Sequence, residues 1–207
     1  MKTSPLRWLL LAGAVIAAAL IAGCGSSSPS TPKANAADKA FVAEMVPHHK
    51  LAVQMAQMAQ TQGQHPQIKT LAGNIIDSQN GEIDEMTKLA PTIGATIDNQ
   101  ATGQMTPAMG QNAQALGMSM DAMGMSMNMA QLRGAKPFDR AFIDMMTPHH
   151  QGAIAMAQAE LAKGQDPQLR NLATSIIADQ TREVAQMSSW RITWYGGPVP
   201  PGAMHGV

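Results

Sequence analysis

The chain holds one cysteine, Cys24, among 207 residues. A single thiol excludes an internal disulfide framework and any zinc or iron–sulfur site that needs two or four cysteines. Aromatic side chains make up only 3% of the sequence. That argues against a β-sandwich and leaves Ala, Ile, Leu and Met to build a core of packed helices. Charge of one sign is missing as well, since 14 Lys and Arg face 14 Asp and Glu. A balanced chain is not an electrostatic nucleic-acid binder, so no nucleic-acid partner is expected. The sequence has no nucleophile–base–orienter set and no Gly-rich phosphate loop. It also lacks the Glu-x-x-His pairs of di-iron bundles. It is therefore expected not to be an enzyme, with a di-iron-type oxidase as the least favoured alternative.

What is abundant is methionine, with eighteen residues. Met1 opens a short basic segment with Lys2 and Arg7, followed by the apolar run Trp8–Ala22. That run is shorter than the roughly 20 residues a spanning helix needs and reads as a signal-peptide core. It ends in Leu20-Ile21-Ala22-Gly23-Cys24, which resembles the bacterial lipobox. The expectation is a lipoprotein signal over residues 1–23 and an acylated Cys24, palmitate among the chains, that anchors the protein on the extracytoplasmic side of a membrane. More than one acyl chain is what makes such anchoring stable. Residues 24–37, rich in Ser, Pro and Ala, are expected to be a flexible tether.

The rest of the chain carries one unit twice. Asp38 to His49 aligns without a gap on Asp139 to His150, and the same register holds as far as Met86 and Met187. Shared residues include Phe41/Phe142, Met45/Met146, Pro47/Pro148, both His pairs, Met55/Met156, Gln79/Gln180 and Glu82/Glu183. Apolar residues recur at helical spacing in two stretches per unit. Gly63 and Gly164 separate those stretches, and Pro66 and Pro167 stand where a second helix can begin. Asp38 and Asp139 are expected to cap the first helices. Pro47 and Pro148 either kink those helices or mark their true starts. The fold class is thus all-α, a four-helix bundle of two duplicated hairpins over 38–190, with units 38–89 and 139–190. Residues 90–137 form a Met-rich insertion, expected to be a mobile excursion, and 191–207 form a Gly/Pro tail. Trp190, Trp194 and Tyr195 are placed to cover the bundle end, or Met204 and His205 to add a weak ligand pair.

On a helical wheel Met45, His48 and Met55 share one face with His49 alongside, and Met146, His149, His150 and Met156 repeat the pattern. Gln79, Glu82 and Met86 share a face of the second helix, as do Gln180, Glu183 and Met187. Imidazole with thioether is a copper-type ligand set. Thioethers select Cu(I), whereas imidazole also suits Cu(II) and Zn(II). Glu82 and Glu183 lie near the apolar stripe, where a carboxylate needs a donor or a cation. They join the candidate metal residues, as do Met118, Met120, Met123, Met125, Met127 and Met129 in the insertion. A second reading stays open, in which the His pairs are bound internally by the two glutamates and only hold the bundle together.

The repeated pattern Phe-x-x-x-Met-x-Pro-His-His, at Phe41 to His49 and Phe142 to His150, resembles the DUF305 family. So do Ala-x-x-Met at Ala52 to Met55 and Ala153 to Met156, and the stretches Leu71 to Met86 and Leu172 to Met187. Val184 and Lys50 are mild departures. The resemblance implies a ferritin-like bundle exported from the cytoplasm. Family members are often encoded near copper-handling genes. This implies copper on Met45, His48, His49, Met55 and Met86, and on the matching Met146, His149, His150, Met156 and Met187, with copper-handling proteins as partners. The functional expectation is a membrane-anchored protein that buffers, stores or transfers copper. The alternative is a structural or interaction lipoprotein without metal.

Overall fold

The computed structural model describes residues 33–98, 106–125 and 127–200. Cys24, the expected signal segment, most of the tether, and Met204 and His205 of the tail lie outside them. Six α-helices and no strand occur among the described residues. The four long ones are α1 (Ala36–Gln62), α2 (Pro66–Ile93), α5 (Phe138–Lys163) and α6 (Pro167–Tyr195), in two hairpins as expected. None of the described helices is long and apolar enough to cross a membrane.

The turns follow their residues. Pro66 and Pro167 open α2 and α6, where a missing N–H costs nothing. Gly63 and Gly164 end α1 and α5 with extended rather than left-handed backbone. A Cβ on Gly63 would meet the Ala59 carbonyl at 2.5 Å, so close approach, not positive φ, requires glycine there. Of the two possibilities for Pro47 and Pro148, the structure takes the interior one, because α1 and α5 run through them.

The capping expectation needs correction. Asn35 caps α1, and Asp38 is the third-position partner of that capping box. Pro137 precedes α5, and Asp139 makes no cap there. Both aspartates instead reach across to the other hairpin. Asp38 accepts from the backbone N–H of Gln165 at 2.9 Å and of Asp166 at 2.8 Å. Asp139 accepts from Gln64 at 2.9 Å and His65 at 2.8 Å. Each buried carboxylate thus satisfies the orphan amides of a turn it does not belong to. The start of α1 therefore lies at the end of α5 and the reverse, so the two central helices run antiparallel. α2 packs on α1 and α6 on α5, while α2 and α6 barely touch.

The insertion is not an excursion where it is described. It folds into α3 (Pro107–Leu116), a short 3₁₀ turn (Asp121–Met123) and α4 (Met129–Gly134). α3 lies on α1, and the turn and α4 lie on α5. Leu116, Met123 and Leu132 are fully buried by this docking. A reciprocal pair of glycines permits it. Gly124 is left-handed (φ +70°), and a Cβ on it would lie 3.4 Å from the Cα atoms of His149 and Gly152. Any Cβ on Gly152 would strike the backbone of Met123 and Gly124. In the first unit Leu51 stands at the matching position, which leaves room for such a lid on one side only.

Candidate metal centre

His48 and His49 on α1 and His149 and His150 on α5 are all buried in the middle of the bundle. They meet because the antiparallel central pair crosses at the two Pro-His-His segments. The His48 and His149 rings stack with centroids 3.6 Å apart and planes 25° from parallel. The outer rings turn the other way. His49 Nε2 lies 2.7 Å from the Glu82 carboxylate, and His150 Nε2 lies 2.7 Å from Glu183. This arrangement repeats between the hairpins.

A carboxylate accepts and cannot donate, so Nε2 of His49 and His150 must carry the proton. Their Nδ1 atoms are buried without a hydrogen-bond partner. A neutral ring then presents an Nδ1 lone pair to the interior. This is how an outer carboxylate sets the tautomer of a metal-binding histidine. Both nitrogens of His149 also lack hydrogen-bond partners, and those of His48 meet only the backbone of Met123 and His149, beyond good hydrogen-bond geometry. Burial pushes the pKa of His48 well below the usual imidazole range, and the neighbouring His49 and His150 rings add to it. Burial does the same for His149, aided by His48. Both inner rings are therefore neutral at pH 7. Gln79 and Gln180, one turn before the glutamates, are buried too, with Oε1 of Gln79 and both amide atoms of Gln180 unmatched. Helical spacing puts them on the face they occupy but does not by itself assign them to the centre. Their signal was the match of Gln79 to Gln180 beside an acidic residue.

The methionines sort themselves differently from the wheel. Met45, Met86 and Met156 belong to one core cluster, and Met55, Met146 and Met187 to the other. All six are completely buried. Met45 and Met55 share a helix face, yet ten residues at about 1.5 Å of rise set them roughly 15 Å apart. The expected set of Met45, His48 and Met55 within one unit is thus divided. Each thioether trio draws two residues from one hairpin and one from the other. Thr147 Oγ1 also donates to the Met187 sulfur at 3.9 Å, a contact the matching Val46 cannot make.

The insertion methionines are not an exposed cluster. Met123 and Met125 are buried in the first core cluster, against which Met118 and Met120 are packed half-buried. Met127 and Met129 pack half-buried against the second. Glu82 and Glu183 are placed as partners of imidazole. Among the described residues no three of His, Cys, Asp and Glu converge into a cage. Further donors to a metal here would be thioethers. Imidazole nitrogens and thioethers buried in the same bundle are donor types that suit a soft cation that takes few ligands.

Some polar contacts escaped sequence reasoning. Asn112 on α3 donates to Glu44 at 2.6 Å. Burial holds the Glu44 carboxyl above its ordinary pKa, and Asn112 partly offsets this. At the bundle end His65 bonds Asp139 through Nδ1 at 2.7 Å and stacks on Trp194 at 3.9 Å. Trp190 continues that stack.

The model of the family described as "Domain of unknown function (DUF305)" matches residues 38–191. Among solved structures the chain is similar to CopM in its Cu(I)-bound form, with 33% identity and a TM-score of 0.61. That match covers 77% of this chain and 98% of the other. For CopM in the Cu(II)-bound form the figures are 35%, 0.62, 76% and 97%. An uncharacterised protein of Acanthamoeba polyphaga mimivirus is 40% identical over 51 residues, which is 25% of this chain and 34% of the viral one.

Proposed function

The chain belongs to the DUF305 family, and from that premise we propose that it binds copper outside the cytoplasm as an anchored lipoprotein. It buffers, stores or passes on the metal and catalyses no reaction. The observation that carries this reading is the set of buried imidazole nitrogens on His48, His49, His149 and His150, of which side chains bond only the two Nε2 atoms held by Glu82 and Glu183. An apolar core tolerates such groups only where they serve a purpose. The likeness to CopM, solved with Cu(I) and with Cu(II), supports copper as the cargo.

Nδ1 of His49 and His150 and the inner rings of His48 and His149 are the nitrogen donors in this reading. Met45, Met86 and Met156 on one side, and Met55, Met146 and Met187 on the other, supply soft sulfur. Copper supplies strong bonds to nitrogen and sulfur that water does not. Glu82 and Glu183 orient the outer rings. The buried Met123 and Met125 close the cover over one face.

Anaerobic titration with Cu(I) against a chromophoric chelator tests the reading. Competition for the metal is expected, and failure to compete overturns it. The anchor is tested by Cys24→Ser, which should move the protein from the membrane fraction to the soluble one. The second reading, a structural or interaction protein without metal, draws on the 3.6 Å stack of His48 on His149, which already packs the centre. It requires that copper leave the melting temperature unchanged.

A further inference from the structure

The buried rings are reached unequally from the two faces of the bundle. On one face the 3₁₀ turn lies flat on α5, with Gly124 against His149 and Gly152 and Met123 fully buried. Backbone in van der Waals contact leaves no space there for an ion. On the other face α2 and α6 barely touch. Between them lies a cavity of about 210 Å³ with Asn74 and Ser78 on one wall and Asp179 and Glu183 on the other. It shares residues with a second cavity of about 400 Å³ that runs along the groove to Trp190.

Glu183 joins this groove to the centre. It lines the cavity, and its carboxylate holds His150 Nε2 at 2.7 Å. Its side chain keeps 14% exposure while the His150 side chain has none. One carboxylate thus meets solvent and a buried imidazole at once. The positive group beside it, Arg182, is paired with Asp179. The matching residue of the first unit is Gly81, so the cation at this mouth belongs to the second unit alone.

We propose that the α2–α6 groove is the passage by which Cu(I) reaches the buried imidazoles, with Glu183 as its inner negative end and Arg182 as a brake at the mouth. The inference rests on the copper reading and adds its route. A carboxylate at the floor of a narrow polar groove concentrates cations and speeds their arrival. The inner nitrogen and sulfur donors then select among them.

The test follows Cu(I) transfer from bicinchoninate to the purified protein by stopped flow, with the final stoichiometry read from the same traces. Ser78→Trp fills the groove and is expected to slow uptake about tenfold, the lower end of what a focusing cleft contributes. The stoichiometry stays as it was. Arg182→Gly, which copies the first unit, is expected to speed uptake. Should Ser78→Trp lose its helical circular dichroism, Ser78→Leu replaces it. Unchanged rates in folded Ser78 variants and in Arg182→Gly overturn the route and leave the copper reading standing. No uptake by the unaltered protein overturns the copper reading, and the route with it.

Discussion

His48 on α1 and His149 on α5 stack face to face with ring centroids 3.6 Å apart, and no side chain hydrogen-bonds the nitrogens of either ring. Shape alone does not need imidazole there, because phenyl rings stack as well. Each unmatched buried polar group costs about 1–3 kcal/mol. A purely structural pair of that kind is a poor choice of side chain. The double variant His48→Phe with His149→Phe separates shape from chemistry. The melting temperature is expected to hold or rise, while the number of Cu(I) bound falls in titration. Full copper binding by the folded variant would show that the inner rings are not donors.

The crossed aspartates staple the hairpins. Asp38 and Asp139 are 0% and 1% exposed and accept from turn amides of the opposite hairpin. Asp139→Ala leaves the amides of Gln64 and His65 and the His65 ring without that partner. A loss of about 2–3 kcal/mol is expected in urea unfolding, since bonds to charged groups lie at the strong end of the range. Asp38→Ala is expected to behave alike, because it strands Gln165 and Asp166. A loss under about 0.5 kcal/mol, typical of surface changes, would contradict this role.

Glu160 predicts a pH effect. It is fully buried, and burial first, then the neighbouring Asp38, push its pKa up to about 8. Arg170 opposes this, and Asp166 adds to it. Its unfolded value is near 4.5, so between those pH values the folded chain keeps a proton that the unfolded chain releases. Stability contributed by this site therefore falls as pH rises from about 4.5 to about 8 and levels off above. Glu160→Gln removes that slope. Thermal melts at pH 5 and pH 8 should differ less in the variant than in the parent, with the gain at pH 8. Parallel pH profiles in the two proteins would contradict the assignment.

Gly152 tests the lid. Any Cβ there strikes the backbone of Met123 and Gly124, and backbone cannot swing aside as a side chain can. Gly152→Ala is expected to lift the 3₁₀ turn and expose Met123 and Met125. A loss of about 1–3 kcal/mol is expected, as for other overpacked sites, with faster proteolysis between 117 and 128. Deleting 118–129 outright should cost more, because Met123 and Met125 belong to the core. Equal stability after that deletion would return the segment to the status of an appendage.

Much of this was legible from one dimension. The repeat, the four long helices, the glycine and proline punctuation and the paired histidines all depend on spacings of a few residues. Local sterics and hydrogen bonding decide those. His49 with Glu82 and His150 with Glu183 were foreshadowed too, since a carboxylate near a core stripe needs a donor and imidazole was the nearest. The lid was not legible. Its Gly, Ser and Met composition matches a solvated loop, and only the contact of Gly124 with Gly152 reveals the docking.

Helical period and side-chain chemistry are local properties, so the order of residues already specifies an all-helical duplicated chain and the residue types at its centre. Which of those residues meet depends on the packing of the helices. A helical wheel keeps angle and discards rise, so it joined Met45 to Met55. The antiparallel docking of α1 on α5 restored the lost axis, placed Met156 in the Met45 cluster, and sent Asp38 and Asp139 to each other's turns. The aspartate pairings span 74 to 128 residues of chain, and no local rule encodes them.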